Sequence, residues 1–508
     1  MNAAVTADTL AQFKAAQLNS SDEIVKATLG PQAKSVTTGT GLVGYDLQAP
    51  AKNLYPVLTP LRNLLPRVMG ETGTATNWRV VSAINGSGNN SMGWVPEGQR
   101  SARMSYTTSN KAATYVTIGE EDQVSFEAVT AARTFEDIRA TAAIRLLQKM
   151  MQKEEDAVLG GNTSLALGTP ATPTVTGAST GGSIPAGTYN VYVVALTYEG
   201  YRIASIANGV VQSQTITGAD GLTYTLNGGS SNKSAAGSSG AITGTGVITA
   251  TVTQIPGAVA YAWYVGTSGN EKITAITTIN SVSLTSIAAQ GTQNASAITA
   301  DTSKNANYAF DGLLTWASNS LGSYYNALAT GTAGTGTPLT ASGRGSVNEI
   351  DVALQAMWDQ NRVSPSVIYV NSQELKNITN KVLSNASGPL LRYTATADDN
   401  EMNQYEMVAS GTVSFYFNPF ALDGGRKIPI KVHPTLPPGT ILGYCADLPA
   451  QYQNNNVPQA VEVRTRRDYY ELDWPLRTRQ YEMGVYAEEV LVCYAPFSLM
   501  LLTNIANG

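Results

Sequence analysis

The feature that most constrains this chain is a break in its charge. Between Leu165 and Ala300 only six residues are charged (Glu199, Arg202, Asp220, Lys233, Glu271 and Lys272), in a protein that is 14% charged overall. The same stretch is rich in Thr, Ser, Gly, Ala, Val and Tyr, and its apolar residues alternate. Alternation with period two marks strands, whereas helices repeat every 3.6 residues. GTYNVYVVALTYEGY (Gly187 to Tyr201) and VITATVTQIPGAVAYAWYVGTSGN (Val247 to Asn270) read as strands bounded by Gly, Pro and Asn. Short strands at this spacing predict a β-sandwich. Within it, NGGSSNKSAAGSSG (Asn227 to Gly240) is of low complexity and predicts a mobile loop. The flanks LGGNTSLALGTP and AITADTSKNANY are small and polar, as linkers are. An all-β module over 165–300, spliced into a chain of different character, is the expectation.

Helical periodicity governs the chain on either side. From Phe135 to Leu159 a stripe of Phe135, Ile138, Ala142, Leu146 and Met150 predicts a helix about 37 Å long. Thr134 caps it with Asp137 at N3, and Gly160-Gly161 ends it in a left-handed cap. Ahead of it, Trp78 to Ile84 reads as a strand, NGSGNN as a turn and MGWVPEGQ as the start of the return. Tyr115 to Ile118 then brings the hairpin back to the core. The first 70 residues form an arm with a weakly amphipathic helix at Leu10, Phe13 and Leu18, and Pro56, Pro60 and Pro66 prevent a continuous helix at its end. After Asp301 a capping box at Ser346 and Glu349 starts a helix bearing Val347, Ile350, Leu354, Met357 and Trp358. The strand SVIYV (Ser366 to Val370) leads to a second helix capped by Asn371 and Glu374, followed by a strand at Val413 to Phe417 and a turn at PTLPPGT. Val461 to Leu502 reads as long antiparallel strands. The class is α+β.

Length and charge exclude several functions. At 508 residues about three domains are expected. A net charge of −5 gives no basic footprint for nucleic acid as the main ligand. Cys445 and Cys493 make no disulfide framework and read as buried thiols. The N-terminus has neither the basic nor the apolar region of a signal peptide, which predicts a protein made and used in a cytoplasm. VLVCYAPFSLMLL (Val490 to Leu502) is too short to span a membrane and is interrupted by Pro496, so a buried terminal strand is expected, with no membrane partner.

Chemistry is sparse. His433 is the single histidine, which rules out HExxH and two-His metal sites, and no nucleophile elbow accompanies it. GTGLVG (Gly39 to Gly44) matches G-x-G-x-x-G without the helix that a pyrophosphate needs, and GTAGTGT around Gly334 lacks the Lys-Ser/Thr of a P-loop. The acidic runs Glu120-Glu121-Asp122 and Glu154-Glu155-Asp156 read as solvated element ends. No catalytic, cofactor or metal residue is assigned, and the chain is not read as an enzyme. Arg464, Arg466, Arg467, Arg477 and Arg479 interleave with Glu462, Asp468, Glu471 and Asp473. That pattern suits salt-bridged subunit contacts or an exposed sheet face equally.

The order of these parts resembles the major capsid protein of tailed bacteriophages, the HK97-like fold. TPLRNLLPRV, NWRV and GWVPEGQ are similar to that family's E-loop segment, with Trp94, Pro96, Glu97 and Gly98 at the matching positions. IRLLQKMMQKEEDAVLGGN resembles the end of its spine helix, YAFDGLLTW its re-entry segment, and PSVIYVNSQELKNI and LPPGTILGYCADL its axial domain. The inserted module is similar to the Ig-like or fibronectin-type sandwiches on some capsids. The resemblance implies an N-terminal arm (1–70), an E-loop hairpin (71–118), a peripheral domain with the spine helix (119–164), the Ig-like insert (165–300), a continued peripheral domain (301–345), an axial domain (346–455) and peripheral C-terminal strands (456–508). It implies a structural subunit of the virion, assembled in the host cytoplasm as hexamers and pentamers around double-stranded DNA that it touches loosely. A scaffolding protein and a portal are implied partners, with a decoration protein or surface glycan on the outward-facing insert. Trp94, Pro96, Glu97, Gly98 and the five arginines are the implied assembly contacts. Lys111, the one hairpin lysine, sits at its base, which argues against the crosslink that some relatives form. The alternatives are a secreted adhesin or carbohydrate-binding β protein, and an encapsulin-like compartment shell.

Overall fold

The computed structural model describes residues 56–506, apart from 71–72, 86–93, 102, 134–135, 306–307, 320–321, 343–344, 385–412, 422–424, 454–456 and 458. Residues 56–128 and 138–508 belong to one compact body, and residues 129–137 fall outside it. The expected arm helix at Leu10 to Leu18, GTGLVG, most of NGSGNN, the Thr134 cap and Phe135 lie outside the described residues.

The body opens with a short helix α1 (Pro60–Leu64) and strand β1 (Arg67–Met69). A hairpin follows, β2 (Ala75–Asn85) against β3 (Ser105–Thr114), and β4 (Val116–Ser125) carries the chain back. MGWVPEGQ therefore precedes the return strand: its described residues form a loop and turn, which Pro96 and Gly98 favour. After a helical turn α2 (Phe126–Ala132) comes the long helix α3 (Ile138–Gly160), which buries Ala142, Leu146 and Met150 as expected. Its end differs from expectation. Neither Gly160 nor Gly161 is left-handed. Glycine is required there for close approach, because a Cβ on Gly160 would lie 2.2 Å from the Tyr198 ring and one on Gly161 2.3 Å from the Phe310 carbonyl oxygen.

The charge-poor stretch holds β5 (Thr174–Ala178), β6 (Gly187–Leu196), helix α4 (Tyr198–Ile203), β7 (Ser213–Thr217), β8 (Thr223–Asn227), β9 (Gly237–Ile242), β10 (Val247–Thr251), β11 (Ala260–Gly266), β12 (Lys272–Thr277) and β13 (Ser281–Leu284). These strands pair with one another: β13-β10-β5 in one sheet, β12-β11-β6-β9 in a second, and β7-β8 as a hairpin. Val191, Val193, Trp263 and Val265 of the second sheet share a core with Ile248, Ala250 and Val282 of the first. The opposite face of the second sheet is also covered, by Val210, Ala295 and Ile298 around Val194, Ala262 and Tyr264. A sheet buried on both faces has no room for charge, which accounts for the uncharged β6 and β11, though not for the exposed strands β5, β7 and β8, which carry Thr and Ser.

The Ser-rich segment is not a mobile loop. Ser230, Ser231, Ser234 and Ser239 are buried. The Oγ atoms of Ser231, Ser234 and Ser239 accept hydrogen bonds from the N–H groups of Ala195, Val193 and Tyr189 at 2.8–3.0 Å, so serines serve the β6 amides that the short, irregular β9 ladder leaves unpaired.

The chain enters and leaves this stretch at one place, where Leu167 N–H donates to Ser303 Oγ and Gly168 N–H to Asp301 Oδ2. The flanks are bonded and partly buried, unlike free linkers. Asn280 and Asn504 also exchange hydrogen bonds, 2.8 Å from the Asn280 N–H and 3.1 Å between side chains. Tyr198 donates to Asp156 of α3 at 3.0 Å.

Beyond it lie α5 (Leu313–Ser318), β14 (Tyr324–Ala327), a two-residue pair β15 (Ala341–Ser342) and β16 (Ser346–Val347), α6 (Asn348–Asn361), β17 (Val367–Val370) and α7 (Ser372–Ser384). Then come β18 (Phe415–Asn418), β19 (Arg426–Val432), β20 (Ile441–Tyr444), β21 (Val461–Asp473), β22 (Gln480–Cys493) and β23 (Leu499–Thr503). The expected capping box at α6 does not form: Ser346 sits in β16 and donates to the Ser342 carbonyl, while Glu349 accepts from Thr340 N–H. At α7, Asn371 does cap, accepting from Gln373 N–H at 3.0 Å; Glu374 instead turns inward to Gly439 N–H.

Two sheets organise these strands. One runs β1-β21-β22-β4 and the other β14-β23-β20-β17-β19-β18. The expected terminal run Val490 to Leu502 is thus divided. Pro496 breaks it, and β23 joins the six-stranded sheet between β14 and β20. Cys445 and Cys493 are buried free thiols, and burial pushes the Cys445 thiol up to about 12.

Candidate assembly surface

Period-two patterning builds the hairpin, and among the described residues its outer part is left uncovered. Its ladder runs from Ala75 opposite Thr114 to Asn85 opposite Ser105, with a bulge between Val81 and Ala83. Ten residues at about 3.4 Å each give an arm roughly 34 Å long. Its base is fixed: Trp78 packs edge-on against Tyr494, ring centroids 5.6 Å apart, and Thr76 Oγ1 donates to Tyr115 Oη at 2.7 Å. Further out, Val81, Ile84, Met104 and Tyr106 are all more than half exposed. Ile84 and Tyr106 are a cross-strand pair.

Trp94 lies beyond the strands and is 80% exposed. Pro96 accepts from Gln99 N–H at 3.1 Å, and Gly98 between them has φ +77° with open space around its Cβ position. The glycine supplies the left-handed third position of a tight turn. Trp94, Pro96, Glu97 and Gly98 are therefore brought together on one exposed loop.

The five arginines are divided. Arg464 bonds Tyr494 Oη at 3.1 Å, Arg466 pairs with Glu488 at 2.5 Å, and the Arg467 guanidinium stands 5.6 Å from the Tyr470 ring centre. These contacts lie within the β21–β22 ladder. Arg479 meets Glu127 at 2.6 Å and Arg477 is exposed on the turn between the two strands.

Sequence reasoning missed a charged cluster beneath this surface. Glu154 and Glu155, read as a solvated helix end, are buried. Glu155 accepts the N–H groups of Leu61 and Arg62 at 2.9 and 2.7 Å, and it meets His433 Nε2 at 2.7 Å. Thr435 N–H donates to His433 Nδ1 at 3.3 Å, which leaves Nε2 as the ring's donor to Glu155. The single histidine is thus a buried strut between α3 and the loop after β19. Glu154 binds Arg62 at 2.8 Å, Arg67 and the Tyr469 hydroxyl. Arg67 also reaches Asp468 at 2.6 Å and Glu489 at 3.1 Å. The available signal was helical phase: Glu154 and Glu155 lie on the turn before buried Val158 and Leu159, and two arginines occupy an otherwise apolar segment.

The second acidic run behaves more as read. Glu120 pairs with Lys153 at 2.7 Å on a part-exposed edge, and Glu121 accepts the Tyr486 hydroxyl. Among the described residues, no three His, Cys, Asp or Glu side chains are placed to hold a metal ion, and no helix is long and apolar enough to cross a membrane.

No protein-family model matches the chain, and no curated protein matches it in sequence. Solved structures resemble it more distantly. The capsid of the native GTA particle is 10% identical with a TM-score of 0.41, covering 92% of this chain and 97% of that one. The capsid asymmetric unit of cyanophage A-1(L) is 12% identical with a TM-score of 0.42, over 92% and 99%. The capsid of the Myoviridae phage XM1 is 8% identical with a TM-score of 0.41, over 93% and 99%.

Proposed function

We propose that this chain is a structural shell subunit: a major capsid protein of the tailed-phage type, in the HK97-like architecture, that assembles through many copies of itself. The observation that carries this reading is the hairpin of β2 and β3. A lone two-stranded hairpin is marginal in water, and exposed apolar rows signal a partner. Ile84, Trp94, Met104 and Tyr106 acquire that partner when a neighbouring subunit lies under the arm. The long helix α3 resting along the β1-β21-β22-β4 sheet supports the same reading, since it makes a flat element suited to tiling. Closed rings of six and five copies would supply curvature.

On this reading residues 165–300 form an Ig-like module inserted in the subunit and displayed on the outer face, where it leaves space for packaged DNA. A decoration protein or surface glycan would meet it there. Trp94, Pro96, Glu97, Gly98, Arg477 and Arg479 are the contact residues, because they remain exposed on loop and turn. Scaffolding protein, portal and loosely held DNA complete the set of partners.

Electron microscopy of the purified chain, expressed with and without its scaffold, tests the proposal. Shells, tubes or capsomers are expected; a monodisperse monomer under every condition rejects it. Nuclease-protected DNA inside particles made in the infected host separates a capsid from an encapsulin-like compartment, which would carry protein cargo.

A further inference from the structure

The charged cluster has more anions than cations. Two guanidinium groups, Arg62 from α1 and Arg67 from β1, face four carboxyl groups: Glu154 and Glu155 from α3, Asp468 from β21 and Glu489 from β22. Also packed on it are Tyr469 of β21, which donates to Glu154, His433, which donates to Glu155, and Tyr369 of β17, whose ring stands edge-on to His433 with centroids 5.9 Å apart. Nearby Lys153 is paired with Glu120, and Arg466 with Glu488.

The four carboxyl groups are unequally served. Glu155 accepts three donors and Glu154 three. Asp468 is half exposed to water and holds both Arg67 and the Tyr469 N–H. Glu489 is fully buried, with one oxygen 3.1 Å from Arg67 Nη2 and the other, Oε1, without any hydrogen-bond partner. A buried ionised oxygen lacking a donor is strongly unfavourable, whereas a protonated carboxyl needs no cation.

We propose that this cluster is a one-proton latch: Glu489 carries the proton at neutral pH, and losing it in mild alkali loosens the hold of the Pro56–Met69 segment on the long helix and the sheet. The segment is held by the β1–β21 pairing and by buried Leu61 and Leu65, and this cluster adds its grip on Arg62, Arg67 and the two amides on Glu155. A second full negative charge placed beside Glu154 and Asp468 would have to share Arg67 with both. Burial pushes the Glu489 carboxyl up to about 8; Glu154 adds to this and Arg67 opposes it. Because the folded value lies above the unfolded one, the contribution is complete below the ordinary carboxylate range and is lost as pH rises through about 8. The latch stands whether or not the chain builds a shell.

Hydrogen exchange on the full chain tests it, with the Leu61 and Arg62 amides as reporters because both donate to Glu155. After correction for intrinsic exchange, opening of the 61–70 segment should rise more than about tenfold from pH 6.5 to pH 9, tenfold corresponding to about one pKa unit. In Glu489→Gln the rise should shrink to less than about twofold, with protection at pH 6.5 kept. A variant as pH-sensitive as the parent overturns the proposal, and so does one already open at pH 6.5, which would make Glu489 a working anion for Arg67. Asp468→Asn gives a second reading, decisive if the first variant does not fold. Removing one neighbouring anion should lower the folded value, so the rise in opening should be smaller than in the parent and level off at lower pH, and an unchanged profile rejects the latch.

Discussion

Strand β3 of the hairpin, SYTTSNKAAT, and strand β6 of the charge-poor stretch, GTYNVYVVAL, are each ten residues long and rich in strand-forming or small residues. In β3 no residue is buried; in β6 six are. Both have a partner across a ladder, so pairing alone does not separate them. What separates them is cover. The sheet of β6 is packed by a second sheet on one face and by loops on the other, while no second layer of described residues covers the outer hairpin. A strand's local code therefore specifies its extension and its pairing, and its cover is decided elsewhere.

The most severe way to break this contrast is Trp263→Ala. Trp263 is fully buried and its indole N–H donates to Thr277 Oγ1 at 2.8 Å. Loss of such a side chain costs about 3–5 kcal/mol. Chemical denaturation should show it, and a loss below about 1 kcal/mol would mean that the two sheets do not share the core described.

Replacing residues 169–300 by a short Gly/Ser linker sharpens the comparison. The chain enters and leaves at neighbouring points, so the remainder should fold and still assemble. Its melting temperature should fall by several degrees, because Asn504, Asp156 and the groove of Gly160 lose their partners. Insoluble product would show that the stretch is a structural part of the host, not a module.

At the hairpin the opposite signature is expected. Trp94→Ala should leave subunit unfolding unchanged and weaken assembly by about 2 kcal/mol, as an aromatic anchor does. Light scattering against protein concentration measures it. Unaltered assembly would remove Trp94 from the contact. Ser234→Ala strips the Val193 N–H of its acceptor and should cost about 1–2 kcal/mol in denaturation. Its counterpart on the exposed arm, Thr108→Ala, should change subunit stability by less than about 0.5 kcal/mol.

Much of the architecture is legible in the residues themselves. The alternation of 187–196 and 247–270, the stripe of Ala142, Leu146 and Met150, and the strand at 366–370 are local patterns that survive in the fold, whereas Tyr198 to Tyr201, read as the end of the first of these strands, is the start of helix α4. The errors share a different origin. Ser346 and Glu349 match a capping box yet bond elsewhere, since Val347 is drawn into a strand pair with Ala341. The Ser-rich segment has a disordered composition, but β6 offers it a row of unpaired N–H groups that only tertiary proximity supplies. Gly160-Gly161 does end the helix, but not through a left-handed cap: an aromatic ring and a carbonyl come too close there for a Cβ.

The candidate surface was half legible. Trp94, Pro96, Glu97 and Gly98 are adjacent in sequence, and a Pro-x-Gly turn presents them without help from the rest of the chain. The cluster around Glu489 was not, because Arg67 and Glu489 are 422 positions apart. By itself, then, the sequence determined most of the strands, the long helices, and that one long stretch is poor in charge. Which strand completes which sheet, which acids are buried and which glycines are obligatory were decided by tertiary structure. Those properties depend on distances between residues far apart along the chain, and short-range periodicity carries no record of them.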